Sequence, residues 1–319
     1  MGFLTENALF LIVGYVIDLL IGDPYSFPHP VKGIGRWIAY AEKQLRTWFS
    51  AKQNYVYAGV LLLLSTVLLS ATVVFFILKA GSMIHEYLEW ILKIYFAYAV
   101  LSVHSLSYEG KQVKKALNKS LADGRKRVSY IVGRDTKGLS EEEVIKATIE
   151  TVAENTTDGV IAPMFYYLIG GPVAAMAYKS INTLDSMVGY KNEKYMEMGK
   201  ASALTDDAVN WIPARISGIL FVLAAFLKRA DYKNAQKVLA RDHNNHNSPN
   251  AGWTESPVAG ALNIQLGGTH DYFGVAIEKP TIGDSVQKPE TKDIDRTIAL
   301  MMMCSLLFLL IPVGILVLY

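Results

Sequence analysis

The sequence predicts an all-α, polytopic helical membrane protein with roughly four to six membrane segments and helical loops between them. Three observations carry this. The composition is 51% hydrophobic and only 19% charged, with a mean hydropathy of +0.23, which is high for a chain of 319 residues with a water-facing surface. Residues 55–78 and 298–319 form two runs without a charge, of 24 and 22 residues, and about 20 apolar residues cross the hydrocarbon core. The loops between apolar runs also alternate between many and few Lys and Arg.

Taken in order, the candidate segments are 9–21, 55–78, 91–106, 160–181, 211–227 and 298–319. The first contains Asp18, and the third contains Lys93 and His104. The fourth is interrupted by Pro163 and by Gly170-Gly171-Pro172, and the fifth contains Pro213 and Arg215. Those two read either as full spans or as re-entrant pieces. The intervening loops carry five, one, ten, three and nine Lys and Arg. If all six segments cross, the N-terminus lies outside and the rich loops lie inside. Residues 1–8 contain no Lys or Arg, so a secretory leader is not expected. The whole of 1–319 reads as a single integral membrane domain.

Other classes are set aside on composition. A formal net charge of +2 gives no basic stripe, and no nucleic-acid partner is expected. Cys304 is the only cysteine and sits in an apolar run, which removes disulfides and cysteine-zinc sites. Neither a P-loop nor a Rossmann glycine pattern is present. A transporter would use broken helices and intramembrane charges, but the two halves of this chain show no internal repeat.

The loops carry the chemistry. Near the start, Asp18 and Asp23 flank the exit of the first segment. The stretch PYSFPHPVKGIGRW follows, and its prolines and glycines predict an irregular loop. His29 within it is either an exposed histidine or a base or phosphate partner. Residues 108–121 read as a basic helix, either lying along an anionic leaflet or presenting a solvated face. In 133–159, Ser140-x-x-Glu143 is a capping box. Ile145, Ile149 and Val152 form an apolar stripe, with Glu143, Glu150 and Glu154 opposite. Asn-Thr-Thr-Asp-Gly then predicts a helix end, placing Glu154, Asn155 and Asp158 beside a hydrophobic segment. Oxygen ligands of this kind suit Mg²⁺, and they equally suit a solvated helix face.

A second polar cluster runs from Asn182 and Asp185 to Asp206, Asp207 and Arg215. An ionisable residue at membrane depth is a functional candidate. Arg215 either grips a phosphate, snorkels, or pairs with Asp206 or Asp207. The stretch SPNAGWTESPVAGALNIQLGG is rich in small and turn residues. It reads as a ligand cradle or as compact irregular structure. His243 and His246 have metal spacing, but the surrounding Asn and Asp argue against a regular helix to hold it.

Together DPYSFPHPVKGIGRWI, GRDTKGL, TVAENTTDGVIAPMFYYLIGGP, AYKSINTLDSMVGYKNEKY, DDAVNWIPAR and SPNAGWTESPVAGALNIQLGG resemble the CobD/CbiB family, the adenosylcobinamide-phosphate synthases. The resemblance covers about residues 18–268. It implies an amide-forming ligase of the cytoplasmic membrane. Such an enzyme joins adenosylcobyric acid to aminopropanol phosphate or ethanolamine phosphate, with ATP as co-substrate, in late cobalamin biosynthesis. Other late corrinoid-pathway membrane enzymes are implied as partners. The alternative is a membrane transporter or binding protein for a corrinoid or other anionic ligand.

On this resemblance, Glu154, Asp158 and Asp185 are the catalytic candidates. Glu154, Asp158, Asp206 and Asp207 are the Mg²⁺ candidates. His29, Arg134, Lys137, Asn155, Asn182, Arg215 and Asn250 are the substrate and phosphate candidates. ENTTDG and NTLDSMVGY stand at opposite ends of 160–181. A single site holding both therefore requires that segment to be broken.

Overall fold

In the computed structural model, residues 1, 25–28, 50, 52–53, 191, 269, 273–274, 278–279 and 319 are left undescribed, and 270–272 and 275–277 are described by backbone alone. Residues 25–28 of the predicted irregular loop, Lys191 of the AYKSINTLDSMVGYKNEKY stretch and the last residue of the 298–319 segment therefore lie outside the described residues.

The chain is almost wholly helical. Its helices are α1 (Phe3–Ile21), α2 (Pro30–Trp48), α3 (Tyr55–Ile84), α4 (Glu86–Val100), α5 (Val103–Leu117), α6 (Leu121–Val128) and α7 (Glu141–Thr156). A π-helical turn (Thr157–Ile161) follows, then α8 (Ala162–Val188), α9 (Lys200–Val209), α10 (Trp211–Leu227), α11 (Tyr232–Asp242), α12 (Ala251–Leu262) and α13 (Thr291–Leu318). Between α12 and α13 lie two small antiparallel pairs. One joins β1 (Leu266–Gly267) to β4 (Thr281–Ile282), and the other joins β2 (His270–Tyr272) to β3 (Val275–Ile277).

Five helical stretches are long and apolar enough to cross a membrane: Phe3–Ile21, Tyr55–Ile84, Glu86–Leu117, Glu141–Val188 and Thr291–Leu318. The predicted segment 211–227 meets the same test only together with α9, as a bent pair that is either a broken span or a re-entrant loop. The molecule is a polytopic helical membrane protein. Its contacts divide it into two compact units, Met1–Ser102 with Ala162–Asn210 and Ile311–Tyr319, and Val103–Ile161 with Trp211–Leu310.

In the first unit, α3 shows the inside-out logic of a lipid-facing helix. Its buried positions are mostly small or polar: Ala58, Gly59, Thr66, Ser70 and Gly81, with Leu62 and Val74. Leu64, Leu68, Phe75 and Phe76 face outward. Lipid is as apolar as leucine, so close backbone approach decides which face turns inward. The helix α1 begins six residues before the predicted start at residue 9 and so includes Glu6. That charge is matched by Lys93 of α4 at 3.0 Å, which also pairs with Glu89 at 2.9 Å.

The expected break in α8 is present. Gly171 has φ +64°, a left-handed conformation inside the helix, which a side chain would strain. Pro172 has no N–H, so the Leu168 carbonyl four residues back loses its helical donor. Asn7 of α1, 2% exposed, supplies the replacement, with Nδ2 donating to Leu168 O at 3.2 Å. Asn7→Leu removes that donor and leaves a buried carbonyl without a partner. We expect it to lower stability by about 1–3 kcal/mol, read as an earlier unfolding midpoint in mixed dodecylmaltoside and SDS micelles. An unchanged midpoint would show that the carbonyl finds another donor.

Several local expectations are corrected. The stretch from Pro30 onward is not irregular but forms α2, because Pro30 occupies the first helical position and His29 caps it, its side chain accepting from Val31 N. The basic helix at 108–121 exists but is divided. The α5 helix ends at Leu117, and Ser120 opens α6 by accepting from Asp123 N at 3.1 Å. The predicted segment 91–106 is likewise interrupted, with the chain extended at Leu101 before α5 begins. The predicted turn at Asn-Thr-Thr-Asp-Gly does not end the helix. The backbone widens into the π-helical turn and continues. Pro163 accounts for this, since its ring would clash with the Gly159 carbonyl in a regular α-helix and cannot donate to it.

In the second unit the capping box forms as read. Glu143 N donates to Ser140 Oγ at 3.3 Å, and Ser140 N donates to Glu143 Oε2 at 2.6 Å. Ile145, Ile149 and Val152 are buried. The small-residue stretch after Ser248 is not irregular: it forms α12, all but one of whose residues is buried. Its glycines are packing residues. A Cβ on Gly260 would lie 2.6 Å from Asn234 O of α11, and one on Gly252 would lie 2.2 Å from His243 O.

Candidate functional site

Two polar clusters stand out, one in each unit. In the first unit Tyr178, Asn182 and Asp185 follow one another at i, i+4 and i+7 on α8, which places them on one face. Asp206 and Asn210 stand at i and i+4, Asp206 in α9 and Asn210 just past its end. Asp206, 9% exposed, accepts from Asn210 Nδ2 at 3.0 Å and from Asn182 Nδ2 at 3.4 Å. Asn210 in turn accepts from Tyr178 OH at 2.8 Å.

Tyr166 lies before the break in α8 and Tyr178 after it, yet their rings stack at 5.0 Å and 13°. Tyr166 OH donates to Val209 O at 2.8 Å. Tyr166, Tyr178 and Asn210 were not singled out from the sequence, and their i+4 and i+12 spacings become meaningful only once α8 is seen to be broken. Asp185 and Asp207 stand close enough to act electrostatically on Asp206. The cluster is a buried carboxylate held by neutral amides, with further negative charge beside it. Gly189 marks how closely Asp185 is seated, because a Cβ there would lie 1.9 Å from Asp185 Oδ1.

His29 also belongs to this unit. Val31 N donates to its Nδ1 at 3.3 Å, so Nδ1 carries the lone pair and Nε2 the proton. Nε2 stands 3.4 Å from Asp23 Oδ1.

In the second unit Arg215 is held on α10. Its Nη1 donates to Trp211 O and to Asn250 Oδ1, both at 2.9 Å. The guanidinium carbon lies 4.3 Å from the Trp211 ring centroid and 4.9 Å from that of Trp253. Glu154 and Asp158 are half-buried around the start of the π-helical turn. Asn155 Nδ2 donates to Thr151 O of its own helix at 2.9 Å. Thr157 Oγ1 donates to Ser217 Oγ at 2.9 Å, tying this turn to α10 half a turn beyond Arg215.

Arg134, 8% exposed, is not a free cation. Its Nη2 donates to Glu150 Oε2 at 2.7 Å, and Glu150 Oε1 accepts from Gly267 N at 2.9 Å. Lys137 is exposed. His243 and His246 are engaged locally, His243 Nδ1 with Leu239 O at 2.9 Å and His246 Nδ1 accepting from Ser248 N at 2.9 Å. Arg241 clasps Asp242 through Nε and Nη2, both at 2.7 Å. This holds the Asp242 carboxyl below the usual carboxylate range, while its Oδ2 fixes Gly283 N at 2.8 Å.

Among the described residues no group of three or more His, Cys, Asp or Glu is placed to hold a metal ion. The acidic candidates offer oxygen donors in ones and twos. Such donors fit Mg²⁺, which takes one or two carboxylates and completes its shell with water and substrate phosphates.

The fold and these clusters define a class: a polytopic helical membrane protein with a buried carboxylate–amide cluster in one unit and an indole-flanked arginine in the other. A family model described as CobD/Cbib protein matches residues 11–301. The chain is 48% identical to the cobalamin biosynthesis protein CobD of Listeria monocytogenes over 298 residues, 93% of this chain and 94% of that one. It is 44% identical to CobD of Citrobacter koseri over 93% of both chains. It is 42% identical to the cobalamin biosynthesis protein CbiB of Salmonella typhimurium, again over 93% of both. The chain belongs to the CobD/CbiB family of cobalamin biosynthesis proteins, as its motifs imply. No solved structure matches it.

Proposed function

We propose that the protein joins adenosylcobyric acid to an amino-alcohol phosphate, aminopropanol phosphate or ethanolamine phosphate, at the expense of ATP. The product is adenosylcobinamide phosphate. The reading places the protein in the cytoplasmic membrane, in the late corrinoid pathway. One observation supports it most: a buried Asp206 carboxylate held only by amides, with Asp185 and Asp207 beside it, inside a family motif. Negative charge concentrated in this way is costly unless a cation or a proton completes it.

A carboxylate does not condense with an amine in water without activation. The economical course is phosphoryl transfer from ATP to the corrin carboxylate, then attack by the amine on the acyl phosphate with release of phosphate. Bound Mg²⁺ would neutralise charge on the transferring phosphoryl group. Either Asp206 with Asp207, or Glu154 with Asp158, are the groups that would hold it. Asn182 holds Asp206 in orientation. Asp185 is the candidate to take the proton that the amine loses on attack. Arg215 meets a phosphate through the N–H groups its neighbours leave open. Lys137 is exposed and available to another, whereas Arg134 would first have to leave Glu150.

The test uses purified protein in detergent with adenosylcobyric acid, aminopropanol phosphate and Mg-ATP, and reads products by mass spectrometry. The expected result is an amide product that depends on ATP. Bound corrinoid without product would favour the second reading, a carrier or binding protein, which the broken α8 also suits. In the same assay Asp158→Asn is expected to abolish turnover while the protein still inserts into membranes. Full activity in that variant would remove Asp158 from the site.

A further inference from the structure

Trp211, Arg215 and Gly218 stand at i, i+4 and i+7 on α10 and so share one face. Trp253 lies against that face, because Gly218 has no side chain: a Cβ there would lie 2.7 Å from Trp253 O and 3.2 Å from its ring. The guanidinium is thus flanked by two indoles, which fixes its plane and restricts rotamers. Nη1 is used by Trp211 O and Asn250 Oδ1. Nη2 and Nε, with three hydrogens, meet no protein acceptor among the described residues. The indole of Trp253, whose ring centroid lies 4.9 Å from the guanidinium carbon, has an Nε1–H that is buried and without a hydrogen-bond partner. A buried donor without an acceptor is costly, and the guanidinium packed on the same ring has two acceptors that are both neutral. Several donors and a positive charge, without a protein acceptor to match, specify an oxyanion.

We infer that Arg215 and Trp253 form an oxyanion-binding site in which the free guanidinium N–H groups and the Trp253 Nε1–H donate to one anionic group of a substrate, with Trp211 as a positioning residue. The ligand chemistry is a phosphate or a carboxylate, both of which the proposed reaction contains. The inference deepens that reading by naming the donors, and binding is measured without turnover, so the two fail separately.

The experiment titrates inorganic pyrophosphate, and separately propionate, into the purified full chain in magnesium-free detergent buffer by calorimetry. Wild type is expected to bind pyrophosphate saturably. Trp253→Phe keeps the ring and removes the N–H, and is expected to weaken binding about tenfold. Arg215→Lys, which loses the planar fork, is expected to weaken it at least as much. Trp211→Ala should weaken it and Trp211→Phe should restore it. Asn250→Asp, which sets a carboxylate against Nη1 while keeping every guanidinium and indole N–H, should also weaken it. This last variant keeps the test intact should Trp253→Phe not fold. Tighter binding of propionate than of pyrophosphate would assign the same site to a carboxylate. Wild-type affinity in folded Trp253→Phe and Arg215→Lys, or no saturable binding of either anion to wild type, would overturn the inference.

Discussion

Gly199→Val is expected to reduce turnover in the proposed reaction by more than about a hundredfold. Gly199 has φ −80° and ψ −12°, an ordinary conformation, so the obstacle is space. A Cβ there would lie 1.9 Å from Val188 O, 2.8 Å from Val188 C and 3.0 Å from Tyr195 O. All three are backbone atoms, which cannot swing aside as a side chain can. The start of α9 would have to withdraw from the end of α8. The contact between Asn182 Nδ2 and Asp206 Oδ1, already long at 3.4 Å, would be lost first. Displacing a catalytic group by about 1 Å can cost two orders of magnitude. Alanine carries the same first atom and should show the same loss to a smaller degree. Turnover measured beside the unfolding midpoint separates a displaced cluster from a collapsed fold. Wild-type turnover in Gly199→Val would mean that the pairing of α8 with α9 does not matter to the reaction.

Asp206 itself should be still less tolerant. Asp206→Asn keeps the volume and removes the charge. If the carboxylate works on the transferring phosphoryl group, through bound Mg²⁺ or directly, turnover should fall by at least about a hundredfold, with a stability loss limited to the one amide donor of the two that then faces an NH₂ group. Asp206→Leu adds a second effect, since the amides of Asn182 and Asn210 lose the acceptor they share. Each unpaired buried donor costs about 1–3 kcal/mol. The leucine variant should therefore be both inactive and measurably less stable. The asparagine variant is the sharper measurement, and activity near wild type in it would exclude Asp206 from the chemistry.

What was legible in the chain was what adjacent residues decide. The capping box at Ser140 and Glu143, the stripe of Ile145, Ile149 and Val152, and the break at Gly170-Gly171-Pro172 each depend on a few neighbouring side chains and form as their chemistry dictates. The misreadings have a common cause. Glycine and proline were read as loop in two places where context makes them helical: Pro30 at the first position of α2, and the glycines of α12 pressed against neighbouring backbone. Asp158-Gly159 was read as a turn because the effect of Pro163 is absorbed by widening the helix and not by ending it.

The candidate sites were legible as residue types but not as partnerships. Arg134 looked like a free cation until Glu150, sixteen positions on, was seen to neutralise it. Trp253 attracted no notice because its importance depends on Arg215, on a different helix. The stacking of Tyr166 on Tyr178 requires the fold in α8 that brings the two rings together.

The hydrogen bond between Asn7 and the Leu168 carbonyl bears on how the protein is made. Asn7 emerges from the ribosome 161 residues before the carbonyl it serves. At about 5–20 residues per second, the first helix waits roughly 8–30 s for that partner. Through that interval its amide must be hydrated, or held by the insertion machinery, because lipid offers it nothing. The N-terminal part of α8 has the converse difficulty, since it carries the carbonyl that Pro172 deprives of its donor. The earliest and the middle parts of the polypeptide thus complete each other, and a chain released before residue 168 would leave a polar group stranded in its first helix.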